Sequence, residues 1–399
     1  MPKVPRQNFP NFGGTMKKTC IALMLPMLLA ATSSQAVELY NDQKNSLDLS
    51  GWLGFAALND SHDTSVIDDS SRVRFSFERS ERNGWTAFAT TEWGINMVSS
   101  DDSLVMQGGK LAAEKTEDFL YNRLGYVGMS HDEWGSLSFG KQWGAYYDVA
   151  GTTDLPNVFA GYSVGAYAFS DGGLTGTGRA DSAFIYRNSF GPVQIALQYA
   201  AKTNGNVTLK NDDGSEMANS ELDFDSSYGA SLTYSLTDKF KLLAGFNRGD
   251  FEGHLGNTQV DETNEIVGIG AMYGDYYHYA DNREASGLYV GFNAHQSKNN
   301  ELVGGDLYDA TGAELMTAYQ FDNGFVPMIV LSYLDLDTDA STPIQGKWTR
   351  QFAMLGLHYR YSNDTVMFAE MKLDFSDMDD PALEAQEDNG FAVGINYFF

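Results

Sequence analysis

From Val37 to the C-terminus, apolar residues recur at every second position in one short segment after another. At the end of the chain, Phe391, Val393, Ile395, Tyr397 and Phe399 form one row, while Gly390, Ala392, Gly394 and Asn396 form the other. In "SSRVRFSFERSERNGW" the rows are Val73, Phe75 and Phe77 against Arg72, Arg74, Ser76 and Glu78. A period of two is that of a β-strand with chemically different faces. Segments such as "GWTAFATTEW", "GPVQIALQYAA", "SYGASLTYSL", "GLYVGFNAH" and "FAMLGLHYRYS" repeat it, and about 16 strands fit the chain. Their separators alternate. Short turns carry Asn83-Gly84, Thr237-Asp238, Asn323-Gly324 and Asn363-Asp364, whereas stretches such as 99–117, 204–224 and 376–389 are long and mostly acidic. Within one long stretch, "SLVMQGGKLAAEKTEDF" (103–119) suggests a helix.

Short turns at one end and long loops at the other predict a transmembrane, antiparallel up-and-down β-barrel. Its outward row must then be the apolar one, because an arginine facing lipid near the midplane costs about 2–4 kcal/mol. Arg72, Arg74 and Glu78 therefore face the interior. About 16 strands enclose more space than side chains fill, which predicts an aqueous channel. Aromatic residues at strand ends, Tyr359, Tyr361, Tyr397 and Phe399 among them, suit the membrane interfaces, as do most of Trp52, Trp85, Trp93, Trp134, Trp143 and Trp348.

The beginning of the chain reads differently. Residues 16–36, "MKKTCIALMLPMLLAATSSQA", combine Lys17 and Lys18, an apolar run and a Ser34-Gln35-Ala36 cleavage site, as a secretory signal peptide does. Residues 1–15 then precede the natural start, and 37–399 form the barrel. The one cysteine, Cys20, falls in the signal, so disulfides and cysteine metal sites are not expected in the barrel. Removing Lys3, Arg6, Lys17 and Lys18 takes the formal charge from -27 to -31. Such acidity excludes a nucleic-acid partner and would gather cations at a channel mouth. The six histidines show no metal-ligand spacing, and most of them read as surface or turn residues. "GGLTGTG" (172–178) lacks the context of a phosphate loop, and "DLDTDAS" lacks the glycine and glutamate of a calcium loop. No catalytic constellation, metal or cofactor is expected.

Three blocks carry a family resemblance: residues 122–161, "NRLGYVGMSHDEWGSLSFGKQWGAYYDVAGTTDLPNVFAG"; residues 178–202, "GRADSAFIYRNSFGPVQIALQYAAK"; and residues 317–337, "TAYQFDNGFVPMIVLSYLDLD". Together with the terminal phenylalanine, they resemble the general, trimeric, 16-stranded porins of Gram-negative outer membranes. The resemblance implies a loop, roughly residues 146–178, folded into the barrel as a constriction. It also implies a basic ladder facing acids on that loop. Arg74, Arg123 and Arg179 match ladder positions, with Arg72 pointing the same way as Arg74; Asp154 matches a loop acid, and Glu92 is a candidate partner on the wall. Two positions depart from the family: Asn157 follows Pro156 where a glutamate is usual, and Trp52 replaces a lysine. A weaker field and an aromatic lining follow from these changes.

The expected protein is an outer-membrane homotrimer that passes small hydrophilic solutes and ions passively, with mild cation preference, in contact with lipid and lipopolysaccharide. Two alternatives remain open: an oligosaccharide-selective channel using Trp52, and a barrel serving mainly as an adhesin or tether.

Overall fold

The computed structural model describes residues 36–59, 64–98, 103–107, 110–114, 119–202, 206–210, 216–256, 258–276, 282–303, 306–338, 344, 346–379 and 389–399. The expected signal peptide and the extension before it lie outside the described residues. Sixteen antiparallel strands form a closed barrel. They are Asn45–Asn59 (β1), Arg72–Ser80 (β2), Trp85–Ile95 (β3), Leu120–His131 (β4), Gly135–Trp143 (β5), Arg179–Phe190 (β6), Val193–Ala200 (β7) and Glu216–Ser235 (β8). Then follow Phe240–Leu255 (β9), Thr258–Tyr273 (β10), Gly287–Val303 (β11), Asp306–Gln320 (β12), Phe325–Leu336 (β13), Trp348–Arg360 (β14), Thr365–Asp374 (β15) and Gly390–Phe398 (β16).

Each of these sixteen strands pairs with the next, and β1 pairs with both β2 and β16, which closes the barrel. Both ends of the described chain build that seam. Gly51 and Phe399 exchange backbone hydrogen bonds of 2.8 and 3.0 Å. Strand Val37–Asn41 pairs with the first half of β1, beside the end of β16. The terminal phenylalanine is thus part of the closing ladder.

The alternation behaves as expected in β16, where Phe391, Val393, Ile395 and Tyr397 are exposed outward while Ala392 and Asn396 are buried. It is blurred in β13. There Phe325, Ile329, Leu331 and Tyr333 face out, yet Val326, Met328, Val330 and Leu334 on the inner row are apolar too, and fully buried. Something inside the barrel covers them. The chain from Gly144 to Gly178, between β5 and β6, supplies Val149, Leu155, Val158, Phe159 and Tyr162 to the apolar cluster that holds Val326, Met328 and Val330, while Leu334 packs in a second cluster around Trp348. Each fully buried side chain of this size contributes about 1.5–3 kcal/mol.

Several local expectations change. Residues 103–119 contain no described helix; Ser103–Gln107 and Lys110–Glu114 pair as a small antiparallel hairpin. Much of 204–224 is strand, because Asn206–Lys210 pairs with the extended start of β8. Trp348 is buried in a cluster with Tyr308, Leu334 and Ile344, and Trp143 stacks on Tyr147 at 3.9 Å, so neither is an interfacial anchor. His295 and His358 are buried on the inner face rather than superficial. The 172–178 stretch is fastened to the wall: Asn247 donates to the Thr175 carbonyl (2.7 Å) and Gln198 to the Gly176 carbonyl (2.8 Å).

At the end bearing short turns, six connections span two to four residues, for example 81–84 with Asn83 and Gly84 at φ 57° and 79°. The exception is the β10–β11 connection, residues 274–286.

The outward row of β16 yields a stability test. Val393→Arg should destabilise the barrel by about 2–4 kcal/mol, read from urea unfolding in lipid vesicles. A cost within experimental error would place that row away from lipid.

Candidate functional site: the inner wall and the segment pinned against it

The densest charge cluster follows from strand register. Arg74 on β2 pairs directly with Glu92 on β3. Across the β3–β4 ladder, Glu92 pairs with Leu124 and Trp93 with Asn122, so Arg123 is the extra residue of a bulge. A bulge re-aims the residue it inserts. Arg123 turns to Glu92, its Nε donating to Oε1 at 2.9 Å, while Arg74 donates from Nε to Oε2 at 2.8 Å. The nearest Arg72 nitrogen lies 4.0 Å from Glu92 Oε1, and its Nε donates to the Ser70 carbonyl at 3.0 Å. One carboxylate thus faces three guanidiniums and leaves a net positive patch. Arg72 also lies 3.6 Å from the Trp52 ring centroid, and the indole N–H donates to the Asp69 carbonyl at 3.0 Å. Trp52 therefore points inward, with one face occupied by a cation.

The segment 144–178 begins with a short helix, Tyr147–Ala150 (α1), and is fixed to the inner wall along its length. Asp148 accepts hydrogen bonds of 3.0 and 2.7 Å from Arg187 on β6, and another from Ser231 on β8. Glu314 on β12 accepts from Thr153 Oγ1 (2.9 Å), the Ser163 amide (2.9 Å) and Ser332 (2.9 Å). Glu370 on β15 accepts from three consecutive amides, those of Asn157, Val158 and Phe159, at 2.8, 2.9 and 3.1 Å. His358 Nε2 lies 2.9 Å from the same carboxylate. Arg350 donates to the Tyr162 carbonyl at 2.8 Å. Buried carboxylates that gather backbone N–H groups are strong, oriented attachments. They leave the segment held on both flanks and at its turn.

The sequence-selected residues now fall into two groups. Trp52, Arg72, Arg74, Arg123 and Glu92 come together on β1–β4. Arg179 is paired elsewhere: it binds Asp171 at 3.2 Å, Asp171 also binds Lys141 at 2.8 Å, and Lys141 reaches Asp181 at 2.7 Å. Asp154 is bonded to the Tyr147 hydroxyl at 2.7 Å and to the Tyr167 hydroxyl. Its turn needs Gly161, at φ 75°, where a Cβ would come within 2.6 Å of Asp154 Oδ1. Asn157 contributes its backbone N–H to Glu370, while its Nδ2 is buried and without a partner among the described residues. Its side chain belongs to the packed contact. Glu314, Glu370, Asp171 and Lys141 were not singled out from sequence. Glu370 had a visible signal, an acid in the inner row after Val366 and Phe368; Asp171, in a loop with no periodicity, had none.

Asp171 lies outside the spanning strands. Burial alone would raise its carboxyl, but Arg179 and Lys141 overcome burial and hold it at about 2. A depressed carboxyl loses its stabilising pairing only as pH falls from its ordinary 3.8 toward 2.

A sequence model of the Gram-negative porins matches residues 20–399. The chain belongs to this family. Outer membrane porin N of Escherichia coli K12 is 27% identical over 408 residues, covering 96% of this chain and all of the relative. Outer membrane porin PhoE of the same strain is 28% identical over 399 residues with the same coverage. Among solved structures, Salmonella typhi OmpF in complex with daunomycin covers 91% of this porin at a TM-score of 0.68 and 21% identity, and covers all of that chain. An anion-selective porin from Comamonas acidovorans covers 89%, again spanning that whole chain, at a TM-score of 0.59 and 13% identity. These last two show the fold. The porin resides in the outer membrane and serves as a passive channel.

Two measurements check the geometry. Glu370→Ala should free three amides and increase open-channel current noise in planar bilayers, while Glu370→Gln, still able to accept, should do so less. Separately, Asp171→Asn should shift the reversal potential in a salt gradient by an amount that stays constant from pH 7 to pH 4. A shift that vanishes by pH 5 would mean Asp171 is already neutral there.

Proposed function

We propose that the segment 144–178 narrows this porin, and that solutes pass between it and the wall carrying Arg72, Arg74 and Arg123. The observation that supports this most directly is one carboxylate, Glu92, shared by three guanidiniums on an inner wall, beside a loop pinned across other strands. The excess positive charge is local. The second group, Lys141 and Arg179 against Asp171 and Asp181, is balanced, and Asp154 adds one acid. The acidic loops govern the mouth, so a mild cation preference results, with the arginines slowing cations where the path is narrow.

Size exclusion does the coarse sorting and the transverse field the fine sorting. The protein works as a homotrimer, is exported by residues 16–36, and meets lipid and lipopolysaccharide on its outer face. An oligosaccharide track is the weaker reading. One face of Trp52 is taken by Arg72 and one face of Trp143 by Tyr147, so these rings are engaged side chains rather than an open row of stacking surfaces.

In planar bilayers under a salt gradient, the channel should open in triplet steps with a modestly cation-selective reversal potential. Arg74→Ala should increase cation selectivity, and Glu92→Gln should reduce it. The proposal fails if neither variant moves the reversal potential while both fold.

A further inference from the structure

We infer that an oblique glycine track on the inner wall, ending at Gly291 of β11, sets how far the infolded segment stands off that wall. Gly291 is a positioning residue, acting on solutes only through the segment it seats. Its effect on current rests on the reading that this segment narrows the porin.

The track follows from strand register. Gly245 of β9 pairs with Gly268 of β10, and Gly270 follows two residues on in the same inner row. Gly270 pairs with Asn293 of β11, and Gly291 is the next inward residue of that strand toward the short-turn end. Gly268, Gly270 and Gly291 thus step obliquely across the wall, all of them buried. None has a positive φ, so backbone conformation does not call for glycine here. A glycine inside a strand weakens it and packs nothing, and it marks a place where another backbone comes close.

What comes close is one face of the turn that opens the segment. Residues three apart on a helix share a face, and Tyr146, Val149 and Thr152 are so spaced around α1. A Cβ on Gly268 would lie 3.0 Å from the Tyr146 ring, and one on Gly270 would lie 3.4 Å from Val149 Cγ1. On Gly291 it would overlap the Thr152 carbonyl oxygen and lie 2.9 Å from the carbonyl carbon. The first two neighbours are side chains that can turn aside. The third is main chain.

That main chain is also clasped where it lies. The Tyr289 hydroxyl donates to the Thr152 carbonyl at 2.7 Å, and Asn293 Nδ2 donates to Thr153 Oγ1 at 2.7 Å. Tyr289 and Asn293 flank Gly291 on the inner row, so the three residues form a seat with glycine as its floor. The residue after Thr153 is Asp154, so the depth of the seat also places the segment's acid. A methyl group at position 291 is admitted only if the Thr152 main chain withdraws by about 1 Å or more, toward the middle of the barrel.

The test uses the full chain, with folding confirmed by heat-modifiable migration. In Gly291→Ala, single-channel conductance should fall on the order of 1.5-fold, because current follows the free cross-section of a narrow pore. Gly291→Val should lower it further. Hydrogen exchange in Gly291→Ala should quicken at the amides of 152–155 and stay unchanged at Asn157–Phe159, which Glu370 holds. Tyr289→Phe removes the clasp without adding bulk and should leave the mean conductance as it was. Gly125→Ala, on β4 where the nearest atom to a Cβ would be 3.8 Å away, should alter neither readout. A folded Gly291→Ala variant with unchanged exchange and unchanged conductance would overturn the inference. Quickened exchange with unchanged conductance would uphold the seat and overturn the reading that the segment narrows the channel. Should Gly291→Ala fail to fold, Gly268→Val is compared with and without Tyr146→Ala. Conductance should fall in the single variant and recover in the double, and a single variant that conducts like the unaltered protein would overturn the inference.

Discussion

A bilayer offers backbone amides and carbonyls no water, so a spanning sheet must close on itself. Nearly everything else in this porin follows from that demand. The seam is where closure is completed, and it uses both ends of the described chain: β16 lies against β1, Phe399 bonds Gly51, and Val37–Asn41 continues the same edge. Closure assigns each residue to lipid or interior by parity alone. Parity in turn makes the arginines of β2 interior charges rather than surface ones, and a bulge turns Arg123 of β4 to the same place.

A barrel this wide would be hollow, and the infolded segment changes that. Its attachment relies on carboxylates that gather backbone N–H groups. Glu370 takes three amides in succession, Glu314 an amide and two hydroxyls, and Asp148 works in the other direction from the segment to Arg187. Such contacts read the path of the main chain and depend little on the loop's side chains. Asn157 can therefore stand where the family has a glutamate without loosening the attachment; what changes is the charge presented there. Apolar packing adds area beneath these bonds and makes one side of the interior solid.

The asymmetry gives the channel its character. On β1–β4 the inner wall carries arginine, glutamate and tryptophan; on β12–β15 it carries methionine, valine and phenylalanine packed under the infolded segment. Strand β13 illustrates the consequence, since its inner row is as apolar as its outer one. Alternation there reports parity but not environment, because a covered inner face and a lipid-facing one both favour hydrophobic residues.

The sequence by itself determined the strands, their number, the lipid-facing row and the turn end, because a period of two and the chemistry of tight turns are local properties. It also placed Arg72 and Arg74 inside, for the same reason, whereas Arg123 is matched only through the family resemblance. Only the tertiary structure decided which of them meet. The Arg123 contact needs a bulge two strands away from Arg74, Arg179 joins Asp171 rather than the first cluster, and Trp348 and His358 are buried by neighbours distant in sequence. The clasp of Glu370 on residues 157–159 spans more than two hundred positions of chain. No local pattern encodes such a distance; it exists because the barrel closes and brings the far wall to the loop.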